Sequence, residues 1–365
     1  MTKLTDKVQV ILLNKKNISR NSTTSYIFIQ GDESTTLSAQ RHLIIMHNPT
    51  ELQKIIEEAI PKISYPSKPA DLYEPIKYIM SLGGKRIRPV MVLMATELFT
   101  DEVTKALDVA LAIETFHNFT LVHDDIMDNA PLRRGKQTVH EKWGINNAIL
   151  SGDVMMVESN KHLSKVDISV LKPVLDTFNL TAQGVCEGQQ LDMEFETRDN
   201  VSINEYIEMI RLKTAVLLGG AMKLGAIVGG ADHKNAALLY DFGENLGVAF
   251  QLQDDILDVY GDPEKFGKQV GGDIIANKKT FLHLTAKQLI KKEETDVLLG
   301  SHENAEQKVK SVTELYNNYG IKQLSNTEME KYLAKAYQAL DDLAVEESRK
   351  TYLRELTKQI MERES

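Results

Sequence analysis

The stretch EYIEMIRLKTAVLLGGAMKLGAIVGG, Glu205–Gly230, repeats apolar residues three and four apart along most of its length. Each helical residue turns about 100°, so such positions share one face; a half-buried strand would need strict alternation instead. The stretch therefore reads as helix. Its one interruption is Lys213-Thr214, a polar pair unwelcome in a core unless it finds partners. Working outward, ELQKIIEEAIPKI (Glu51–Ile63) and the segment Val103–Asp128 keep the same period. Glycine and proline punctuate between helices at Gly83-Gly84, Gly152, Gly261-Asp262-Pro263 and Gly271-Gly272. No alternating strand appears after Pro49, and the charged, amphipathic stretch from Glu303 suits outer helices. The expectation is a single all-α domain over 46–365.

Two acidic clusters lie on these helices: DDIMD at Asp124–Asp128 and DDILD at Asp254–Asp258. The first and last Asp of each are a turn apart on one face, with the middle Asp displaced to one side. Carboxylates this close repel one another unless a cation sits among them. Hard oxygen ligands that leave room for water and phosphate suit Mg²⁺, and two facing clusters would clamp a diphosphate. The competing reading, a solvated acidic face, fits poorly with the apolar flanks FTLVH (Phe119–His123) and AFQL (Ala249–Leu252). His117, Leu121, Asp124 and Asp128 form one stripe, and Gly247, Gln251, Asp254 and Asp258 form another.

Basic residues stand where helices end. GGKRIRP brings Lys85, Arg86 and Arg88, and LRRG brings Arg133 and Arg134. Guanidinium groups grip phosphate oxygens bidentately, and five cations exceed what pairing with the acids requires. Lys213, Lys268 after Gly267, and Lys278-Lys279 after Asn277 extend the set. In EGQQLDME, Gln189 and Asp192 share a helical face, while Asp153 in SGD reads as a helix cap. The whole describes a helical bundle holding a metal-bound diphosphate at an acidic mouth, a second anion in a basic pocket, and an apolar cavity beneath. That suits ionisation of an organic diphosphate and trapping of its carbocation.

Composition agrees with a globular chain: 365 residues, 42% hydrophobic and 26% charged. No apolar run reaches the roughly 18 residues of a membrane span. The net charge of −9 argues against nucleic acid as a partner. The lone Cys186 excludes an internal disulfide, fits a reducing compartment such as the cytoplasm, and reads as core. Residues 1–45, rich in Ser, Thr and Asn, read as a disordered or non-native extension, with Met46 a functional start.

GGKRIRP, HDDIMDNAPLRRG, EGQQLDM, RLKTA, FQLQDDILDVYGD and GKQVGGD, spread over Tyr73–Phe281, closely resemble the trans-type isoprenyl diphosphate synthase (polyprenyl synthetase) family. The resemblance implies an isoprenoid synthase-type bundle around a deep central cavity, usually a homodimer. It implies head-to-tail condensation of isopentenyl diphosphate with an allylic diphosphate. By motif, Asp124 and Asp128 would bind two Mg²⁺ ions and Asp254 a third, with Asp125 and Asp258 in support. Arg133, Lys213, Gln251, Lys268 and Lys278, with Gln189 and Asp192, would serve the allylic diphosphate. Lys85, Arg88, His117 and Arg134 would hold isopentenyl diphosphate. Lys213, Thr214 and Gln251 would face the allylic cation.

In this family the residues just before the first cluster floor the tail cavity, here Phe119 and Thr120. Large Phe119, small Thr120 and the two-residue spacer of DDIMD point to the twenty-carbon geranylgeranyl diphosphate. Fifteen-carbon farnesyl diphosphate or a longer polyprenyl product are the alternatives. On a helical wheel Phe119 lies roughly 140° from Asp124, so blocking depends on neighbouring helices. A terpene cyclase would lack the GGKRIRP pocket, and a non-catalytic regulatory subunit tends to lose an aspartate cluster; this chain keeps both. One departure is MMVESNKHLSKV (Met155–Val166), more polar than the family's helix after the Gly-Asp pair.

Overall fold

A computed structural model describes residues 46–262, 270–300 and 302–362, and they are helical almost throughout. The first three helices are α1 (Pro49–Ala59), α2 (Ala70–Ser81) and α3 (Ile87–Glu97). The chain continues through α4 (Leu107–Met127), α5 (Val139–Trp143), α6 (Ile145–Leu163) and α7 (Ile168–Thr197). Next come α8 (Ile203–Ile210), α9 (Val216–Gly229) and α10 (His233–Tyr260). Local chemistry sets the starts: Asn48 with Glu51 and Ser202 with Glu205 form capping boxes on α1 and α8, and Asp232 caps α10.

One apolar cluster runs from Leu52 to Ile360, so both ends of the described chain pack on the same core. Helix α10 lies between α9 and the helix Ile321–Asp341, α4 packs on α6, and α3 packs on α9. This arrangement brings the C-terminal end of α4 and the C-terminal half of α10, which carry the two acidic clusters, to one end of the bundle.

The stretch that opened the sequence reading is one continuous helix, Ile203–Gly229, with 61% of its most apolar window buried against neighbouring helices. Its length and hydropathy would suffice to cross a membrane, which the absence of an apolar run in the sequence did not anticipate. Between α8 and α9, Arg211–Ala215 is wound as a π-helix. Glycines press on it from both sides. A Cβ on Gly188 of α7 would come within 2.1 Å of the Lys213 nitrogen, and one on Gly247 of α10 within 2.5 Å of the Ala215 Cα. Gly247 thus serves close helix packing.

Four expectations change. Gly152 does not separate helices but lies inside α6, where any Cβ would collide with the His123 ring at 2.2 Å. Asp153 consequently caps nothing; it is exposed in mid-helix, 4.0 Å from His123 Nε2. Cys186 is exposed on α7 rather than core. A two-residue hairpin, β1 (Leu132–Arg133) with β2 (Lys136–Gln137), displays the LRRG arginines. The polar run Met155–Val166 keeps Met155 and Leu163 fully buried and gives its polar groups partners. Lys161 reaches Glu158 at 2.8 Å, and His162 Nδ1 meets Asp108 of α4 at 2.9 Å.

Candidate active site

A cavity of about 850 Å³ opens among α7, α8, the π segment, α10 and the residues that follow. Seven carboxylates line it: Asp128, Asp192, Glu196, Asp254, Asp255, Asp258 and Asp273. Lys213, Lys278 and Lys279 stand opposite, with Thr214 and Gln251 between. The π winding adds a residue to one turn and delivers both Lys213 and Thr214 to this wall.

The first cluster divides as its spacing demanded. Asp125 turns away from the mouth, 1% exposed, and takes Arg133 in a fork: Nε lies 2.9 Å from both carboxylate oxygens and Nη2 2.7 Å from Oδ1. Arg133 Nη2 is 3.7 Å from Asp124 as well, so Asp125 aims this arginine at the mouth. Asp128 has its pKa raised by burial and by the Asp124 charge. Lys213 Nζ bridges Asp192 at 2.5 Å and Asp124 at 3.4 Å. Burial alone would lower the pKa of Lys213, but Asp192 and Asp124 outweigh it and the ammonium is held. Lys278 behaves likewise beside Asp273, 3.7 Å away.

On α10, Asp258 Oδ2 accepts the backbone N–H of Asp273 at 2.9 Å. Asp255 is fully enclosed; burial pushes its pKa up to about 8, and it accepts the Tyr206 hydroxyl. Thr214 Oγ1 donates to Gln251 Oε1 at 3.2 Å, and Gln251 Nε2 donates to Asp255 at 3.3 Å.

The residues expected to hold a second anion gather around the Gly83-Gly84 turn. Arg134 donates to the Gly83 carbonyl, and its guanidinium carbon would lie 3.0 Å from any Cβ on Gly84. Arg88 Nη1 is 3.3 Å from His117 Nε2. Burial lowers the pKa of Arg88 to about 10, and burial together with Arg88 keeps His117 neutral at neutral pH, so Nε2 presents its lone pair to the guanidinium. Lys85 is exposed and borders a smaller cavity of about 240 Å³ between the start of α1 and Leu356, Gln359 and Ile360.

Not every expected residue belongs to a pocket. Arg86 is not a free cation: with positive φ of 48° it turns inward, pairs with Glu114 and donates to the Met80 carbonyl at 2.7 Å. Gln189 contacts Met127 Sδ at 3.6 Å and does not line the main cavity. Neither do Phe119 and Thr120. The Phe119 ring packs edge-on to His123 at 4.7 Å and tilted on Phe116 at 5.5 Å; Thr120 Oγ1 donates to the His117 carbonyl at 2.8 Å. Lys268 lies outside the described residues. Tyr206, Asp255 and Asp273 escaped the sequence reading as site residues. A signal existed for two of them, since Tyr206 is seven residues before Lys213 and Asp255 four after Gln251, spacings that share a helical face.

The donor set fits a divalent cation. Asp124 Oδ1 is buried with no hydrogen-bond donor, and the Lys213 ammonium is its nearby positive charge. Among the described residues no three His, Cys, Asp or Glu side chains converge into a ready-made cage. Mg²⁺ needs none, because it takes one or two carboxylates and completes its shell with water and phosphate oxygens.

A helical bundle with an acidic mouth, a lysine-lined wall and arginines gathered at the Gly83-Gly84 turn matches the arrangement expected from the sequence for enzymes that join prenyl diphosphates. Residues 69–319 match the polyprenyl synthetase family. Geranylgeranyl diphosphate synthase of Methanosarcina mazei is 41% identical over 234 residues, 63% of this chain and 72% of its own. Geranylgeranyl diphosphate synthase of Sulfolobus acidocaldarius is 36% identical over 280 residues, 75% of this chain and 84% of its own. A crystal structure of a geranylgeranyl pyrophosphate synthase superposes with a TM-score of 0.83 at 42% identity, covering 88% of this chain and all of its own. The chain belongs to the polyprenyl synthetase family and is a prenyltransferase that elongates prenyl diphosphates.

Proposed function

We propose that this enzyme condenses isopentenyl diphosphate head to tail with allylic diphosphates, in the presence of Mg²⁺, and releases the twenty-carbon geranylgeranyl diphosphate. The observation that carries the reading is the shared cavity on which Asp128, Asp254, Asp258 and Lys213 all open. Asp124 and Asp128 would hold two ions and Asp254 a third. Bound there, Mg²⁺ supplies Lewis-acid stabilisation of the charge that develops on the departing diphosphate.

The chain's own groups account for the other steps. Arg133, Lys213 and Lys278 neutralise the allylic diphosphate oxygens; Lys268, and Asp192 through Lys213, are assigned to the same subsite. Arg88, Arg134, Lys85 and neutral His117 hold isopentenyl diphosphate so that its alkene lies against the reacting carbon. Oxygen dipoles of Thr214 and Gln251 shelter the allylic cation after the C–O bond breaks. The proton lost after attack passes to the released diphosphate, for no side-chain base is needed beside so strong an acceptor.

The twenty-carbon product rests on the names of the relatives and on Phe119, five residues before Asp124, as the floor of the tail cavity. A second copy of the chain would cover the apolar residues that α6 and α7 leave outside, Leu150, Val157 and Leu180 being 54%, 56% and 71% exposed. Such a homodimer, working in the cytoplasm, completes the reading. Purified protein with Mg²⁺, isopentenyl diphosphate and each allylic starter, with products read by mass spectrometry, tests it. Absence of any longer prenyl diphosphate would overturn the function, and a dominant C15 or longer product would overturn the chain length alone.

A further inference from the structure

Four side chains on the cavity wall are joined end to end across three elements. Thr214 Oγ1 of the π segment donates to Gln251 Oε1, Gln251 Nε2 donates to Asp255 Oδ1, and the Tyr206 hydroxyl of α8 donates to Asp255 Oδ2. Tyr206 and Asp255 are 3% and 4% exposed, whereas Thr214 and Gln251 are only partly covered.

The order of donors and acceptors along this chain matters for a cation. A primary amide has nearly the same shape either way round but opposite polarity at its two ends. In the structure the NH₂ end of Gln251 donates to Asp255 Oδ1, which sets the Gln251 oxygen towards Thr214. The threonine hydroxyl commits its proton to that oxygen and leaves its own lone pairs turned elsewhere. Two negative dipole ends are thereby fixed at the wall. A carboxylate held by one partner could still swing about its terminal torsion; the Tyr206 hydroxyl takes the second oxygen and removes that freedom.

We propose that Tyr206 is a positioning residue for the condensation: acting through Asp255, it locks the Gln251 amide with its oxygen towards Thr214 before the allylic cation forms. The inference rests on the reading of Thr214 and Gln251 as the cation's shelter. Dipoles preorganised for charge that exists only in the transition state act on kcat. The diphosphates are gripped by other groups, so ground-state binding is left as it was.

Tyr206→Phe removes the hydroxyl and keeps the ring. With isopentenyl diphosphate and an allylic diphosphate, kcat is expected to fall roughly tenfold or more while both KM values stay within about twofold. In a Gln251→Ala background, where the amide is already gone, adding Tyr206→Phe should change kcat by less than about twofold. Circular dichroism and a thermal melt establish that the variants fold. Should Tyr206→Phe fail to fold, Asp255→Leu, which removes the acceptor that turns the Gln251 amide, is expected to give the same kcat loss at unchanged KM. An unchanged kcat, a KM that rises in step with the loss, or losses that multiply in the double variant would overturn the positioning role. An inactive parent enzyme would instead overturn the condensation itself, so the two failures are told apart by the parent's own turnover.

Discussion

Within GGKRIRP, Gly83–Pro89, three cations close together in sequence end in three different surroundings. Lys85 is exposed, Arg88 lies on His117, and Arg86 is buried against Glu114, which also accepts from Asn118 Nδ2 at 3.0 Å. Identity and spacing cannot separate these fates, because what distinguishes them is the left-handed turn at Arg86 and the carboxylate waiting on α4. Arg86→Met should therefore cost about 3–5 kcal/mol of stability, read by denaturant unfolding, since it strands a buried carboxylate. Arg88→Met should leave stability nearly unchanged and raise KM for isopentenyl diphosphate at least tenfold. The aspartates obeyed their spacing more closely: Asp125 turned aside, as 100° per residue requires, and found Arg133. Asp124→Ala and Asp254→Ala are each expected to lower turnover by roughly 10³-fold or more in a product assay. Phe119→Ala should lengthen the product by at least one five-carbon unit by mass spectrometry; an unaltered chain length would refute the floor assignment and leave the chemistry standing.

At the scale of the element, hydrophobic period located α1, α4 and the continuous helix Ile203–Gly229, because each must bury one face. It failed where glycine carries two meanings. Gly152 and Gly83-Gly84 look alike in sequence, yet one admits the His123 ring inside α6 and the others turn the chain. The π winding at Arg211–Ala215 was equally hidden, since the apolar pattern survives on both sides of it and only its phase shifts. Gly247→Ala tests how much the site depends on that winding. The added methyl group meets backbone at 2.5 Å, with no flexible side chain to yield. It should cost about 1–3 kcal/mol in thermal or denaturant unfolding. It should also lower kcat more than tenfold by displacing Lys213 and Thr214. Gly230→Ala, with open space around its Cβ, is the control: strained by its positive φ but distant from the cavity.

For the molecule as a whole, buried histidines work against stability in acid. His283 has its pKa depressed to about 4, by burial and then by Lys287 and other lysines, and burial and the neighbouring arginines depress His117 as well. Both take up a proton less readily folded than unfolded. Stability is therefore fully present above the unfolded value near 6.5 and is lost as pH falls towards 4, by roughly 3 kcal/mol for His283 alone. Raised Asp128 and Asp255 act in the opposite direction over the same range, so the histidine part is read by difference: between pH 7 and 4, denaturant unfolding of metal-free His283→Gln should lose less stability, or gain more, than the unaltered protein. The winding at Arg211–Ala215 has its own consequence on this scale. A π turn takes one residue more than an α turn, so α8 and α9 are out of register with each other by about 100°. Each half of Ile203–Gly229 can then be fitted to its own neighbours without dragging the other round. Deleting one residue from the π turn would restore regular winding with both halves still facing their neighbours, but it would withdraw Lys213 or Thr214 from the cavity wall.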